Sequence, residues 1–150
     1  CEDSINIILS RGNLKSLNVR NAFQDAVDFD FSEIKVDIIN VEKAGNDCID
    51  FSSGIYNIKF GSFQSCFDKG ISIGEKSKVF IEDIQIIKSD IGIAVKDLSI
   101  FLGNKIFIKE TPICVEMFQK KQEFGGAYAT LTDIDCEGKI NIDKKSILNI

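Results

Sequence analysis

Cys48-Ile49-Asp50-Phe51-Ser52-Ser53 is followed 22 residues later by Gly70-Ile71-Ser72-Ile73-Gly74-Glu75, and after 22 more by Gly92-Ile93-Ala94-Val95-Lys96-Asp97. The same spacing reaches back to Ala26-Val27-Asp28-Phe29-Asp30-Phe31 and Ser4-Ile5-Asn6-Ile7-Ile8-Leu9. It reaches forward to Cys114-Val115-Glu116-Met117-Phe118-Gln119, and Cys136 falls on the register once more. The first column is small, the second is always Ile or Val, and the fourth is large and apolar (Ile7, Phe29, Phe51, Ile73, Val95, Met117). The third and fifth columns are mostly polar. Such alternation is a strand with one buried face, and a fixed period of this length marks a repeat architecture.

Repeating the strand every 22 residues stacks equivalent strands in parallel, about 4.8 Å apart, so each buried column becomes a ladder of like side chains. A second strand follows in each repeat (Ile34 to Ile38, Ile55 to Phe60, Val79 to Ile81, Ile100 to Leu102), with a register that drifts by a residue. A third apolar stretch (Ile38 to Val41, Ile84 to Ile87, Ile106 to Ile108) completes the coil. Asn46, Asp68 and Asp90 recur just before the first strand, where left-handed corner geometry is expected because Asn and Asp tolerate it. No helical-period segments separate the strands, as an α/β fold would need. The expected fold is therefore all-β: a single-stranded right-handed parallel β-helix of about six to seven rungs, one domain over residues 1–150. The tail from Lys139 to Ile150 reads as a last partial rung, and Lys120 to Tyr128, with Gly125-Gly126, as a loop that breaks the repeat.

Composition narrows function by exclusion. There is no His, which removes His-based triads and general bases. Lys plus Arg (18) against Asp plus Glu (23) gives a net charge of −5, which argues against nucleic acid as partner. No apolar run is long enough to span a membrane. Cys48, Cys114 and Cys136 fall in the small column, where cysteine behaves as a small hydrophobe, and Cys66 shares another column with Ala22 and Ala44. A Cys114–Cys136 disulfide between stacked neighbours is geometrically conceivable. Cys1 stands where the lipidated residue of a mature lipoprotein would, although an arbitrary chain boundary explains it more simply.

The phrases Ala44-Gly45-Asn46-Asp47-Cys48-Ile49-Asp50, Asp68-Lys69-Gly70-Ile71-Ser72-Ile73-Gly74-Glu75 and Gly92-Ile93-Ala94-Val95-Lys96-Asp97 resemble right-handed β-helix repeat proteins of the pectate-lyase-like superfamily. More loosely, they resemble β-helix segments of bacterial surface proteins and those beside CotH-type kinase domains. The resemblance covers roughly residues 4–140. It implies the fold but not one activity, since such proteins include lyases, hydrolases, epimerases, phage spikes and scaffolds. Neither the Asp-Pro-His-Asp epimerase signature nor a His-containing hydrolase signature is present.

The candidate site is the outward face of the first strands. Asp28 and Asp30 share that face two residues apart, and Asp50 stacks on Asp28 one rung up. Three carboxylates so close repel one another and raise at least one pKa. They could serve glycoside hydrolysis, bind Ca²⁺ through oxygen ligands, or simply keep the face solvated. Further along lie Ser72, Glu75, Lys96, Asp97, Glu116 and Lys121 as ligand-binding candidates. Lys96 is the candidate base of a lyase, with a plainer alternative as an exposed ion pair beside Asp97. No cofactor is expected, with Ca²⁺ a possible ligand, and the lack of His and of a Cys-x-x-Cys pair speaks against a zinc site of the usual kind. The expected function is a non-catalytic scaffold or carbohydrate-binding module of a bacterial surface or envelope protein, with polysaccharide as partner. The alternatives are a polysaccharide-active enzyme on the acidic face and, for location, the cytoplasm. The open ends suggest end-to-end self-association or neighbouring domains of a longer chain.

Overall fold

The computed structural model describes residues 3–150, so Cys1 and the lipid-anchor reading attached to it lie outside the described residues. Among the described residues there is no helix. The strands are β1 (Ile5–Ile8), β2 (Arg11–Ala22), β3 (Val27–Asp30), β4 (Glu33–Ala44), β5 (Ile49–Ser52), β6 (Ile55–Gly74), β7 (Lys78–Lys96), β8 (Ile100–Lys109), β9 (Ile113–Phe118), β10 (Tyr128–Cys136), β11 (Lys139–Ile142) and β12 (Ile147–Asn149). Every pairing between them is parallel, and the chain winds into a β-solenoid of about seven turns.

The expected ladders form because alternate residues of a strand face opposite ways. Ile5, Val27, Ile49, Ile71, Ile93 and Val115 pair in succession, as do Ile7, Phe29, Phe51, Ile73, Val95 and Met117. From Val27 onward all of them are buried. Fully burying one such side chain stabilises by roughly 1.5–3 kcal/mol, so the ladders supply most of the driving force. The Phe29 and Phe51 rings meet edge to face at 5.8 Å, and Tyr56 from the next face packs on both at 5.7 and 4.9 Å. The buried Tyr56 hydroxyl lies 2.9 Å from the Phe29 carbonyl and 2.8 Å from that of Ser52, which together accept its proton. The second and third faces of a coil run on as one bent strand, with ladders such as Ile34–Tyr56–Val79–Phe101. Gly61 makes room in this core, since a Cβ there would lie 2.8 Å from the Phe63 ring.

The corners depart from the sequence expectation. Asn46, Asp68 and Asp90 do not hold the left-handed positions. Most of these belong to two other columns: Leu9, Phe31, Ser53, Glu75 and Asp97 (φ 47–55°), and Asn21, Lys43, Ser65, Lys88 and Glu110 (φ 52–66°); Lys76, Leu98, Lys105 and Asp133 are left-handed as well. No glycine has positive φ. The corner must reverse the chain at one residue per coil, and hydrogen bonds from the coils on either side hold it there whatever its side chain. Residues so placed each carry a backbone cost on the order of 1 kcal/mol that the surrounding stack sustains.

The register shifts at several places, Cys66/Lys69 and Lys139/Ile140 among them. Ile55 pairs with Lys78, 23 residues on, where Glu75 and Lys76 are both left-handed. Tyr128 pairs with Ile100, 28 residues back and six more than the regular 22, because the Gln119–Ala127 loop is an insertion. Cys136 therefore pairs with Ile108 and does not continue the Cys114 column, correcting the sequence expectation. Cys114 and Cys136 are nonetheless bonded, with Cα atoms 6.3 Å apart, because the end of a coil returns beside its start. Cys48 and Cys66 are bonded in the same way at 5.3 Å, so both are buried as their columns imply, but as a disulfide and not as thiols. β1 and β2 at one end, and β11 and β12 at the other, have a partner on one side only. The tail does form the expected partial coil.

Candidate functional site

The outward columns of the first strands carry the acidic group. Asn6, Asp28, Asp50, Ser72, Ala94 and Glu116 pair in succession, and beside them run Asp30, Ser52 and Gly74. Asp28, Asp30 and Asp50 therefore come together as the period requires. The Asp28 carboxyl is pushed up to about 7, first by burial and then by the charges of Asp30, Asp50, Asp3 and Asp25. Asp30 is also raised, again by burial first and then by Asp50 and Glu75, while hydrogen bonds with Asp28 and Ser52 oppose the rise. One oxygen of Asp28 and one of Asp50 are buried without a hydrogen-bond partner. The other Asp28 oxygen accepts a long bond of 3.4 Å from the Asn6 amide. Asp28 thus keeps its proton in acid and gives it up near neutral pH, and while protonated it can donate to Asp30.

A second acidic column adjoins the first, and the sequence reading passed over it. Asp25 Oδ1 accepts from the Asn46 side chain at 2.7 Å and from the Asp47 N–H at 2.8 Å. One coil on, Asp47 Oδ1 accepts from the Lys69 N–H at 3.1 Å and faces the Lys69 ammonium at 3.4 Å. Burial raises the Asp47 carboxyl to about 6 despite the pull of Lys69, with Asp25, Asp50 and Asp68 adding to the rise. Asp25, Asp47 and Lys69 stand 22 residues apart, so the period itself was the available signal.

The remaining candidates separate into distinct places. Lys96 is only 8% exposed, and its Nζ donates to the fully buried Ser72 Oγ at 2.8 Å. Its stem crosses Gly74, where a Cβ would lie 3.4 Å from Lys96 Cε. Burial lowers the Lys96 pKa, with Asp50 pulling the other way. The exposed Lys96–Asp97 ion pair considered from sequence does not exist. Asp97, 1% exposed at a left-handed corner, instead accepts the N–H groups of Lys120 and Lys121 at 2.7 and 2.8 Å. Lys121 forms an ion pair with Glu75, and Lys76 lies over the Phe124 ring at 5.4 Å. Glu75, Asp97 and Lys121 thus anchor the inserted loop across the corner of two coils. Glu116 stays on the outward column, separated from the Asp group by Ser72 and Ala94.

None of five surface hollows of about 410–620 Å³ is lined by Asp28, Asp30 or Asp50. One of about 580 Å³ runs along the coil axis at another corner, from Ala22 to Pro112. Its floor follows the small buried column Ala22, Ala44, Cys66 and Ser89. Among the described residues, no three carboxylates or cysteines are grouped so as to hold a metal ion. Nor is any helix long and apolar enough to cross a membrane. Comparison with known proteins finds no family model, no curated protein and no solved structure that this chain matches.

Proposed function

We propose that the chain is a non-catalytic β-helix module of a bacterial surface or envelope protein, serving as a rigid support that binds polysaccharide along its side. The observation that carries this reading is the position of the acidic group: its three aspartates line none of the five described hollows. An enzyme commonly gathers its reacting groups in a concave, partly dry site. Two disulfides, Cys48–Cys66 and Cys114–Cys136, favour an oxidising location over the cytoplasm. The kinship with pectate-lyase-like proteins suggested by the rung phrases belongs to this reading, as does the looser likeness to CotH-associated segments.

A second reading has one observation in its favour. Asp28 and Asp50 are stacked neighbours, about one strand spacing of ~5 Å apart, and Asp28 retains its proton to about 7. That separation suits a retaining glycosidase pair. Assaying the native chain and the Asp28→Asn, Asp30→Asn, Asp50→Asn triple variant on a glycan panel separates the two. Binding without turnover, unaltered in the variant, supports the module. Turnover abolished in the variant would establish the enzyme instead.

A further inference from the structure

We infer that the axial groove between Ala22 and Pro112, rather than the acidic face, holds the ligand, and that the ligand is an extended, unbranched, uncharged polysaccharide. This rests on the carbohydrate-binding part of the function proposed above. Four structural features converge on it.

The groove has the shape of an extended polymer. It crosses five coils, so it runs for about four strand spacings, ~19 Å, along the axis. Its floor of small residues lets a chain lie close to the backbone. Two exposed rings flank that floor, Phe67 lining the groove and Phe23 standing next to Ala22 at its end. Phe23 follows Ala22 and Phe67 follows Cys66, two coils apart or ~10 Å, and they are 81% and 74% exposed. Between them the equivalent residue is Gly45, where any Cβ would collide with the Phe23 carbonyl oxygen. No side chain therefore fills the slot between the rings. Rings so exposed bury little of their surface in the folded chain, and their spacing suits the apolar faces of alternate pyranose units.

The rim is balanced in charge. Lys43 and Lys88 line the groove together with Asp90 and Glu110, and none of the four makes a side-chain hydrogen bond or ion pair with a described residue. Lys43, Lys88 and Glu110 project from left-handed corners, which the stack holds in place at coil spacing. A rim with equal numbers of donors and acceptors suits hydroxyl groups, which both donate and accept. A polyanion would lose at Asp90 and Glu110 what it gains at Lys43 and Lys88, so charge gives it no advantage over a neutral polymer. A peptide strand, by contrast, would need an unpaired sheet edge to add to, and the strands here are paired on both sides: β4 with β2 and β6, and β6 with β4 and β7.

The test is affinity electrophoresis of the intact chain through gels containing a linear β-glucan, a xylan, a mannan or a polyuronate, followed by calorimetry with the matching hexasaccharide. Retardation by one neutral polymer and not by polyuronate is expected. The Phe23→Ala, Phe67→Ala double variant should weaken the hexasaccharide about tenfold or more while melting like the parent, because both rings are exposed. The Asp28→Asn, Asp50→Asn variant should bind as the parent does. Neutral-glycan binding that survives loss of both rings would overturn the groove assignment and leave the proposed function standing. Stronger binding of polyuronate would overturn the assigned ligand class. Failure to bind any of the four polymers would overturn both this inference and the carbohydrate-binding function beneath it.

Discussion

Replacing Asp28 by Asn is expected to stabilise the protein above neutral pH and to do almost nothing in acid. Folding raises this carboxyl from its ordinary 3.8 to about 7, through burial and the neighbouring aspartates. The native state therefore holds its proton more tightly than the unfolded chain does. The favourable contribution is complete below about pH 4, declines as pH climbs through about 7, and is gone above that. At ~1.4 kcal/mol per tenfold change in proton affinity, ionising Asp28 in the native state costs roughly 4 kcal/mol at most. The side chain is only half-buried, and solvent screening reduces this to about 1–2 kcal/mol. Asparagine keeps the shape, carries no charge, and donates to the Asp30 carboxylate as the protonated acid would. Urea unfolding followed by far-ultraviolet circular dichroism at pH 4.5 and pH 8 measures both ends. At pH 8 the variant should gain about 1–2 kcal/mol, or about 3–6 °C in Tm; at pH 4.5 the two proteins should nearly coincide. An equal gain at both pH values, or a loss at pH 8, would refute the argument that burial and the neighbouring carboxylates raise Asp28.

Phe51→Ala removes a fully buried ring packed on Phe29 and Tyr56, and should cost about 3–5 kcal/mol in urea unfolding; a loss below about 1 kcal/mol would contradict the stacked ladder. Converting Cys48 and Cys66 together to Ala opens a bridge spanning 18 residues, and should lower stability by about 3 kcal/mol. Mass spectrometry of the unreduced parent should show the two expected linkages, and any other pairing would displace the coil register. Asp97→Ala withdraws the acceptor for the Lys120 and Lys121 N–H groups, so tryptic cleavage there should accelerate about tenfold while the melting temperature changes little. Unchanged cleavage would mean that the loop is held by its other contacts alone.

The coil and its ladders were legible in the residues because a parallel stack repeats side-chain environment with the period of the chain. Ile49, Phe51 and Asp50 announce their faces by type, and the clustering of Asp28, Asp30 and Asp50 follows from the same count of 22. Side-chain chemistry was silent on the corners. Leu9, Phe31 and Lys43 have no preference for left-handed geometry, yet they adopt it, whereas Asn46 and Asp68 do not. Hydrogen bonding between neighbouring coils decides that conformation, not the residue occupying it. The burial of Lys96 over Gly74, the six-residue insertion that moves Cys136 opposite Ile108, and the groove beside Phe67 likewise arise only once the coils are stacked. Periodicity specifies which side chains lie over one another. Depth, corner conformation and concavity depend on how the backbone closes each turn, and that closure is a property of the whole stack.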